Sequence, residues 1–180
     1  EERVLASRPR PYIHLCMSVP RFAVFESVLE KAVELGVHSI HPFFSEFSFV
    51  RTADKIGEGR LARWQKIIQS ATSQSGRGDW LKIEPVEQLK VLVDKINRNS
   101  NAVCLFAYEG GGAPLSKILS NARADDVYIF VGSEGGFSKS ECELFKQTGH
   151  QPISLGEQIL RVETACVTLV SIIKYQLGLF

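Results

Sequence analysis

The chain has 180 residues, 44% of them hydrophobic and 23% charged, so it can bury a core and lies outside the composition of disordered chains. Its 21 basic and 20 acidic residues nearly balance, which argues against a nonspecific nucleic-acid coat but leaves room for a local basic patch. No apolar run approaches the ~20 residues that a membrane helix needs.

The chain opens Glu1-Glu2-Arg3, with neither Met nor an apolar stretch, so no signal peptide is expected and the natural N-terminus is read as missing. Residues 1–11, with Pro9 and Pro11, read as a tail or the end of a preceding domain. Phe25, Val28, Leu29, Ala32 and Leu35 then fall at helical spacing, and Gly36 stops that helix. Val37 to Phe43 reads as a short buried strand. Glu46 to Gly59 is the only stretch with the length and composition of a linker. Leu61, Trp64, Ile68 and Ala71 mark the apolar face of a second helix ended by Gly76, with Trp64 as core, and Leu89, Leu92, Val93 and Ile96 mark a third.

The last eighty residues are the most regular. Ala102 to Tyr108 reads as a strand, followed by Gly110-Gly111-Gly112, and Val127 to Val131 as a β-branched and aromatic strand. Ser138 and Glu141 form a capping box for a helix that stops at Gly149. Ile153 to Leu155 is a brief strand, and Glu163 to Leu177 a final helix closed by Gly178. Alternating helix and strand predicts an α/β fold.

Three loops would follow the carboxyl ends of strands: Glu109 to Pro114, Gly132 to Phe137 and Gly156 to Arg161. Ligands bind at such ends in open α/β sheets. Gly132-Ser133-Glu134-Gly135-Gly136 has three glycines in five residues, which lets a backbone approach a ligand or simply make a tight turn. It is neither a phosphate-binding P-loop nor a dinucleotide fingerprint. Arg161 and Glu163 stand at the mouth of a nearly all-apolar helix. Glu163 there can favour the helix dipole and nothing more, but two apolar residues and an arginine in place of a usual cap are harder to explain that way.

These two segments resemble the SPOUT class of RNA methyltransferases, whose C-terminal part is a trefoil knot, and more closely the ribosomal RNA small subunit methyltransferase E family. That family carries a strand ending in G-P/S-E-G-G-hydrophobic, matched by Gly132 to Phe137, and L-G-x-x-I-L-R-x-E-T-A, matched without interruption from Leu155 to Ala165. Its K-A-x-E-L-G-V, R-W-x-K-I and Q-S-G-R are matched by Lys31 to Val37, Arg63 to Ile67 and Gln74 to Arg77. Two departures stand out. The family's S-E-R reads Ser45-Glu46-Phe47, and the acid before Q-S-G-R has become Ser73. The family's small N-terminal barrel, a PUA-like RNA-binding domain, has no counterpart in these residues.

The resemblance implies that residues 12–180 form a SPOUT methyltransferase domain: a mostly parallel sheet with helices on both faces and a C-terminal trefoil knot. It implies methyl transfer from S-adenosylmethionine to N3 of a uridine in small-subunit rRNA, in the cytoplasm. Carried over by position, the cofactor would touch Phe106, Gly132, Glu134, Gly135, Gly136, Leu155, Gly156, Ile159, Leu160 and Thr164. Uridine N3 carries a proton at neutral pH, so the reaction needs a proton acceptor and a cation for charge developing on the flanking carbonyl oxygens. Arg161 suits the second role. Glu163 or Glu134 suits the first, or only positions other groups.

An RNA contact has its own candidate. From Arg60 to Arg77 there are four basic residues and no acid. Arg63, Lys66, Ser70 and Gln74 share one helical face, and Arg63, Lys66, Gln74 and Arg77 are the expected RNA-binding residues; the alternative is a merely solvated face. His38 and His41, three apart on a strand, would point to opposite sides. His14 and His150 stand alone, and no metal constellation is expected. Cys16, Cys104, Cys142 and Cys166 lie far apart, mostly in apolar runs, and read as reduced core thiols.

Apolar positions circle most of the final helix, with a small polar stripe at Thr164, Thr168 and Ser171. A terminal helix buried all round predicts a homodimer through that helix and the knot; a central helix of the monomer core is the alternative. Two rival functions remain: a SPOUT-like RNA-binding or ribosome-assembly protein without turnover, and a SPOUT methyltransferase for another RNA position.

Overall fold

A computed structural model describes residues 10–119 and 124–180, so most of the expected N-terminal tail lies outside the described residues. Its elements are β1 (Tyr12–Ser18), α1 (Phe22–Glu34), β2 (Ser39–Phe44), a short 3-10 turn (Ala53–Lys55), α2 (Glu58–Ser75), β3 (Lys82–Ile83), β4 (Glu87–Gln88), α3 (Leu89–Ile96), β5 (Ala102–Ala107), α4 (Leu115–Leu119), β6 (Asp126–Val131), α5 (Lys139–Gln147), β7 (Gln151–Ile153) and α6 (Val162–Gln176). The strands form one parallel sheet in the order β3-β2-β1-β6-β5-β7, with β4 also beside β2. Strands β3 and β4 are consecutive short segments along the same side of β2, and the other connections cross over through a helix, as parallel pairing requires.

Alternation along the strands divides the core in two. Ile13, Leu15 and Met17 face α1, α2, α4 and α6, whereas Cys16, Phe43, Phe106 and Phe130 face α3 and α5. On the second side Phe106 stacks on Phe145 with centroids 4.7 Å apart. Strand β1 is buried on both faces and so shows no alternation of polarity for a sequence to reveal.

Several expectations are corrected. Strand β7 ends at Ile153, two residues before the expected end, because Ser154 Oγ turns back to bond Gly156. In α2 the buried residues are Trp64, Ile68, Ala71 and Thr72, while Leu61 is 44% exposed on the first turn. Glu46 to Gly59 is not a linker: Ser45 and Ser48 are buried and bond Ser18 of β1 at 2.6 and 2.9 Å. Helix α6 is covered by its own chain on one side only. It buries Val162, Ala165, Cys166, Leu169, Val170 and Ile173, leaving Ile172 and Tyr175 exposed.

The histidines do not stand alone. His14 Nε2 meets Asp126 Oδ1 at 2.8 Å, its Nδ1 meets Ser39 Oγ at 2.7 Å, and Ser39 Oγ meets His41 Nε2 at 2.7 Å. Asp126 only accepts, so one assignment satisfies the chain: His41 donates to Ser39, Ser39 to His14, and His14 to Asp126. His38 lies just before β2, and its ring stacks on Tyr12 and meets His14 edge-on, so His38 and His41 flank His14 rather than pointing apart. His150 packs between Phe130 and Phe145 and bonds Thr148.

Candidate active site

The loops after β5, β6 and β7 meet at one end of the sheet and enclose a cleft of about 790 Å³, open solvent at its mouth included. Tyr108 and Glu109 line it from the first loop, Gly132, Ser133, Gly135 and Gly136 from the second, and Leu155, Gly156, Gln158, Ile159 and Leu160 from the third. Val162 and Ala165 of α6 form part of its floor. Its mixed apolar and polar lining suits a small organic ligand held largely by backbone groups.

The glycines have different reasons to be there. A Cβ on Gly132 would come within 2.8 Å of the Gly136 carbonyl, because the two ends of the tight turn touch. Gly156 has φ +110°, which L side chains rarely adopt. Gly135 is different: its missing Cβ points at Phe47 Cβ, 2.8 Å away, and not into the cleft as its place in a ligand loop suggests. Ser133 reinforces that contact, its Oγ donating to the Phe47 carbonyl at 2.6 Å.

Of the residues expected to hold a cofactor, Gly132, Gly135, Gly136, Leu155, Gly156, Ile159 and Leu160 line the cleft together. Phe106 does not: it is fully buried against Phe145, since alternation turns the next residue, Ala107, to the cleft. Thr164 is exposed away from it. The Glu134 side chain is also outside, its Oε1 accepting from the Arg21 backbone N–H at 3.4 Å. Arg161 is the exposed N-cap residue of α6 and Glu163 lies half-buried in its first turn. Neither lines the cleft, but Arg161 stands between Leu160 and Val162, which both do. Among the described residues the Arg161 guanidinium takes no hydrogen bond or ion pair.

Tyr108, Glu109 and Gln158 line the cleft without having been singled out as residues. Their signal was the place of their loops at the ends of strands. Burial pushes the Cys16 and Cys166 thiols up, which keeps them protonated and inert. Among the described residues no group of three or more His, Cys, Asp or Glu side chains could hold a metal ion.

The basic face of α2 is acid-free only along the sequence. In space, α1 lies beside it, and Glu26 takes Arg63 at 2.8 Å and Arg60 at 3.2 Å. Gln74 borders a groove that also holds Glu30 and Glu34. Lys66 is exposed. Arg77 is not a surface cation: its side chain is 4% exposed, pairs with Asp79 at 3.2 Å and bonds the Val33 and Val37 carbonyls.

A family model described as an RNA methyltransferase domain matches residues 7–174. The ribosomal RNA small subunit methyltransferase E of Bacillus subtilis is 30% identical over 170 residues, covering 91% of this chain and 66% of that protein. The protein of the same name from Mesomycoplasma hyopneumoniae is 30% identical over 165 residues, covering 92% and 70%. The structure of the Neisseria gonorrhoeae ribosomal RNA small subunit methyltransferase E bound to S-adenosyl methionine superposes with a TM-score of 0.82 at 32% identity, covering 91% of this chain and 65% of that one. The chain thus spans about two thirds of the length of these relatives.

Proposed function

The chain belongs to the RNA methyltransferase family that includes the ribosomal RNA small subunit methyltransferases E, with their SPOUT α/β fold, and from that membership we propose that it methylates N3 of a uridine in small-subunit rRNA, using S-adenosylmethionine. The observation that carries this reading is the meeting of the two motif segments, Gly132 to Phe137 and Leu155 to Ala165, around a single cleft. The cleft fits the cofactor. The Gly132–Gly136 turn brings backbone within reach, Tyr108, Ile159 and Leu160 offer apolar faces to an adenine, and the Glu109 carboxylate offers acceptors to ribose hydroxyls or an ammonium group. S-adenosylmethionine, when bound, supplies a methyl group on a sulfonium cation.

The chain's own residues then have to hold the uridine and manage its proton. Arg161, a cation at the rim without a partner among the described residues, stabilises charge developing on the uracil carbonyl oxygens. Glu163, half-buried in the first turn of α6 beside Arg161, takes the N3 proton, whereas Glu134 is turned away toward the Arg21 N–H. Alignment within the cleft supplies much of the remaining gain. Lys66, with Arg63 once released from Glu26, contributes phosphate contacts. The exposed Ile172 and Tyr175 support a homodimer through α6. The order β6-β5-β7, followed by the return of α6 to α1, supports a knotted C-terminus. A cytoplasmic setting follows from an rRNA substrate, and no helix among the described residues is long and apolar enough to cross a membrane.

Calorimetry tests the cofactor site. S-adenosylmethionine should bind, and Gly132→Val should remove binding in a chain that still folds. Equal binding by Gly132→Val would move the cofactor away from this turn.

A further inference from the structure

Residues 45 to 49 are fixed from several sides. Ser48 Oγ accepts from the Ser45 N–H at 2.8 Å, and both hydroxyls bond the buried Ser18 of β1. The Glu46 N–H donates to Glu141 Oε1 at 2.9 Å, and the Phe49 N–H to the Val19 carbonyl at 2.9 Å. The Phe47 carbonyl accepts from Ser133 of the glycine turn at 2.6 Å. A segment held this firmly would ordinarily turn its apolar side chains inward or carry polar ones. Here Phe47 is 43% and Phe49 55% exposed.

Neither ring lines the cleft, but Phe47 backs the glycine turn that does. The Phe47 side chain lies over the α-carbon of Gly135, which lines it. Phe49 leans edge-on against Phe22 with centroids 6.1 Å apart. Arg51, two residues after Phe49, and Arg21, next to the Phe22 that Phe49 touches, are both exposed.

We propose that Phe47, seconded by Phe49, is the stacking platform that receives an unpaired base of the RNA substrate beside the cleft; this rests on the methyltransferase reading above. A base can reach a methyl donor in a cleft only after leaving its neighbours in the RNA stack, and it loses their π contacts in doing so. A rigid aromatic face restores that contact for any base, and nearby arginines hold the phosphates. The same chemistry explains the departure at this position. The arginine of S-E-R is a planar group that can stack on a base, and phenylalanine keeps the plane while giving up the charge.

The test is the affinity of the full chain for a short uridine-containing single-stranded RNA oligonucleotide, measured across salt concentrations. S-adenosylmethionine affinity and oligomeric state are measured beside it. Phe47→Ala and Phe47→Leu should each weaken RNA binding by about tenfold or more, and Phe47→Tyr should restore it. The salt slope should not move, since no ionic contact is lost. Cofactor affinity and subunit number should hold. With 5-iodouridine in the oligonucleotide, light should cross-link the base to the wild-type chain and not to Phe47→Ala. Wild-type affinity in Phe47→Leu would mean that bulk, not a π face, is needed, and would overturn the platform. A change in subunit number in Phe47→Ala would give the ring to a second copy of the chain and overturn it equally. A wild-type chain that binds neither cofactor nor RNA would instead overturn the methyltransferase reading itself, and the platform with it.

Discussion

The guanidinium of Arg77 donates from Nη2 to the carbonyl of Val37 at 2.7 Å, joining the residue that follows the Gly76 cap of α2 to the segment that leads into β2. Its Nη1 also bonds the Val33 carbonyl in the last turn of α1, which accepts from the Gly36 N–H at 3.0 Å as well. Arg77→Ala should therefore destabilise the fold by about 3 kcal/mol, as charged hydrogen bonds to buried carbonyls are lost. RNA affinity and its salt slope should stay unchanged. Urea unfolding and a salt titration of RNA binding check both; a reduced salt slope would return Arg77 to the RNA interface.

Glu26 holds Arg60 and Arg63 in ion pairs, so it competes with any phosphate for them. Glu26→Gln should tighten RNA binding and steepen its salt dependence. Lys66→Ala should flatten that dependence by about one unit. Arg63→Ala should flatten it less, because its charge is already partly spent. Binding measured from low to high salt decides the order.

The buried histidines tie stability to pH. Burial lowers the pKa of His14, of His41 to about 3, and of His150 to about 4. These rings are neutral in the fold, while the unfolded chain protonates them near the ordinary histidine value. Below about pH 6.5 the unfolded state binds more protons, so stability is full above that pH and falls as pH drops toward the folded values. His41 alone should remove about 2 kcal/mol between pH 6.5 and 5. His41→Gln, which keeps a donor for Ser39, should flatten the profile by that amount. Urea midpoints at the two pH values measure it; identical slopes would mean that His41 is solvated when folded.

Val170 is 1% exposed within its own chain, so Val170→Arg should unfold the protein rather than split a dimer. Ile172→Asp with Tyr175→Asp places charge on the outward side of α6 instead. That variant should be a folded monomer by light scattering where the unaltered chain is a dimer. A monomeric unaltered chain would remove the α6 interface.

Most of the fold was legible because its signals are local. Capping by Ser138 and Glu141, the stops at Gly36, Gly76 and Gly178, and the apolar spacing of α1 and α3 all act within a few residues. The Ser138 N–H meets Glu141 Oε2 at 2.9 Å, as the capping box requires. What was missed depends on distance along the chain. Strand β1, buried on both faces, has no alternation to read. The partner of Arg63 lies on another helix, and those of His14 lie on two other strands. The cleft was legible to the level of its loops, because motifs and strand ends mark loops. Side-chain direction within them was not, which is why Phe106 and Thr164 fell away from the cleft while Tyr108 and Glu109 came into it.

The central claim is tested most directly by incubating the purified chain with labelled S-adenosylmethionine and small-subunit rRNA, naked and assembled, and mapping the labelled position. Label should appear on N3 of a uridine. Arg161→Ala should lower the single-turnover rate at saturating cofactor by about a hundredfold, with little change in cofactor affinity, because its cation serves the deprotonated ring more than the neutral one. A wild-type chain that binds cofactor and leaves rRNA and subunits unlabelled would contradict the account and favour an RNA-binding or assembly role on the same fold.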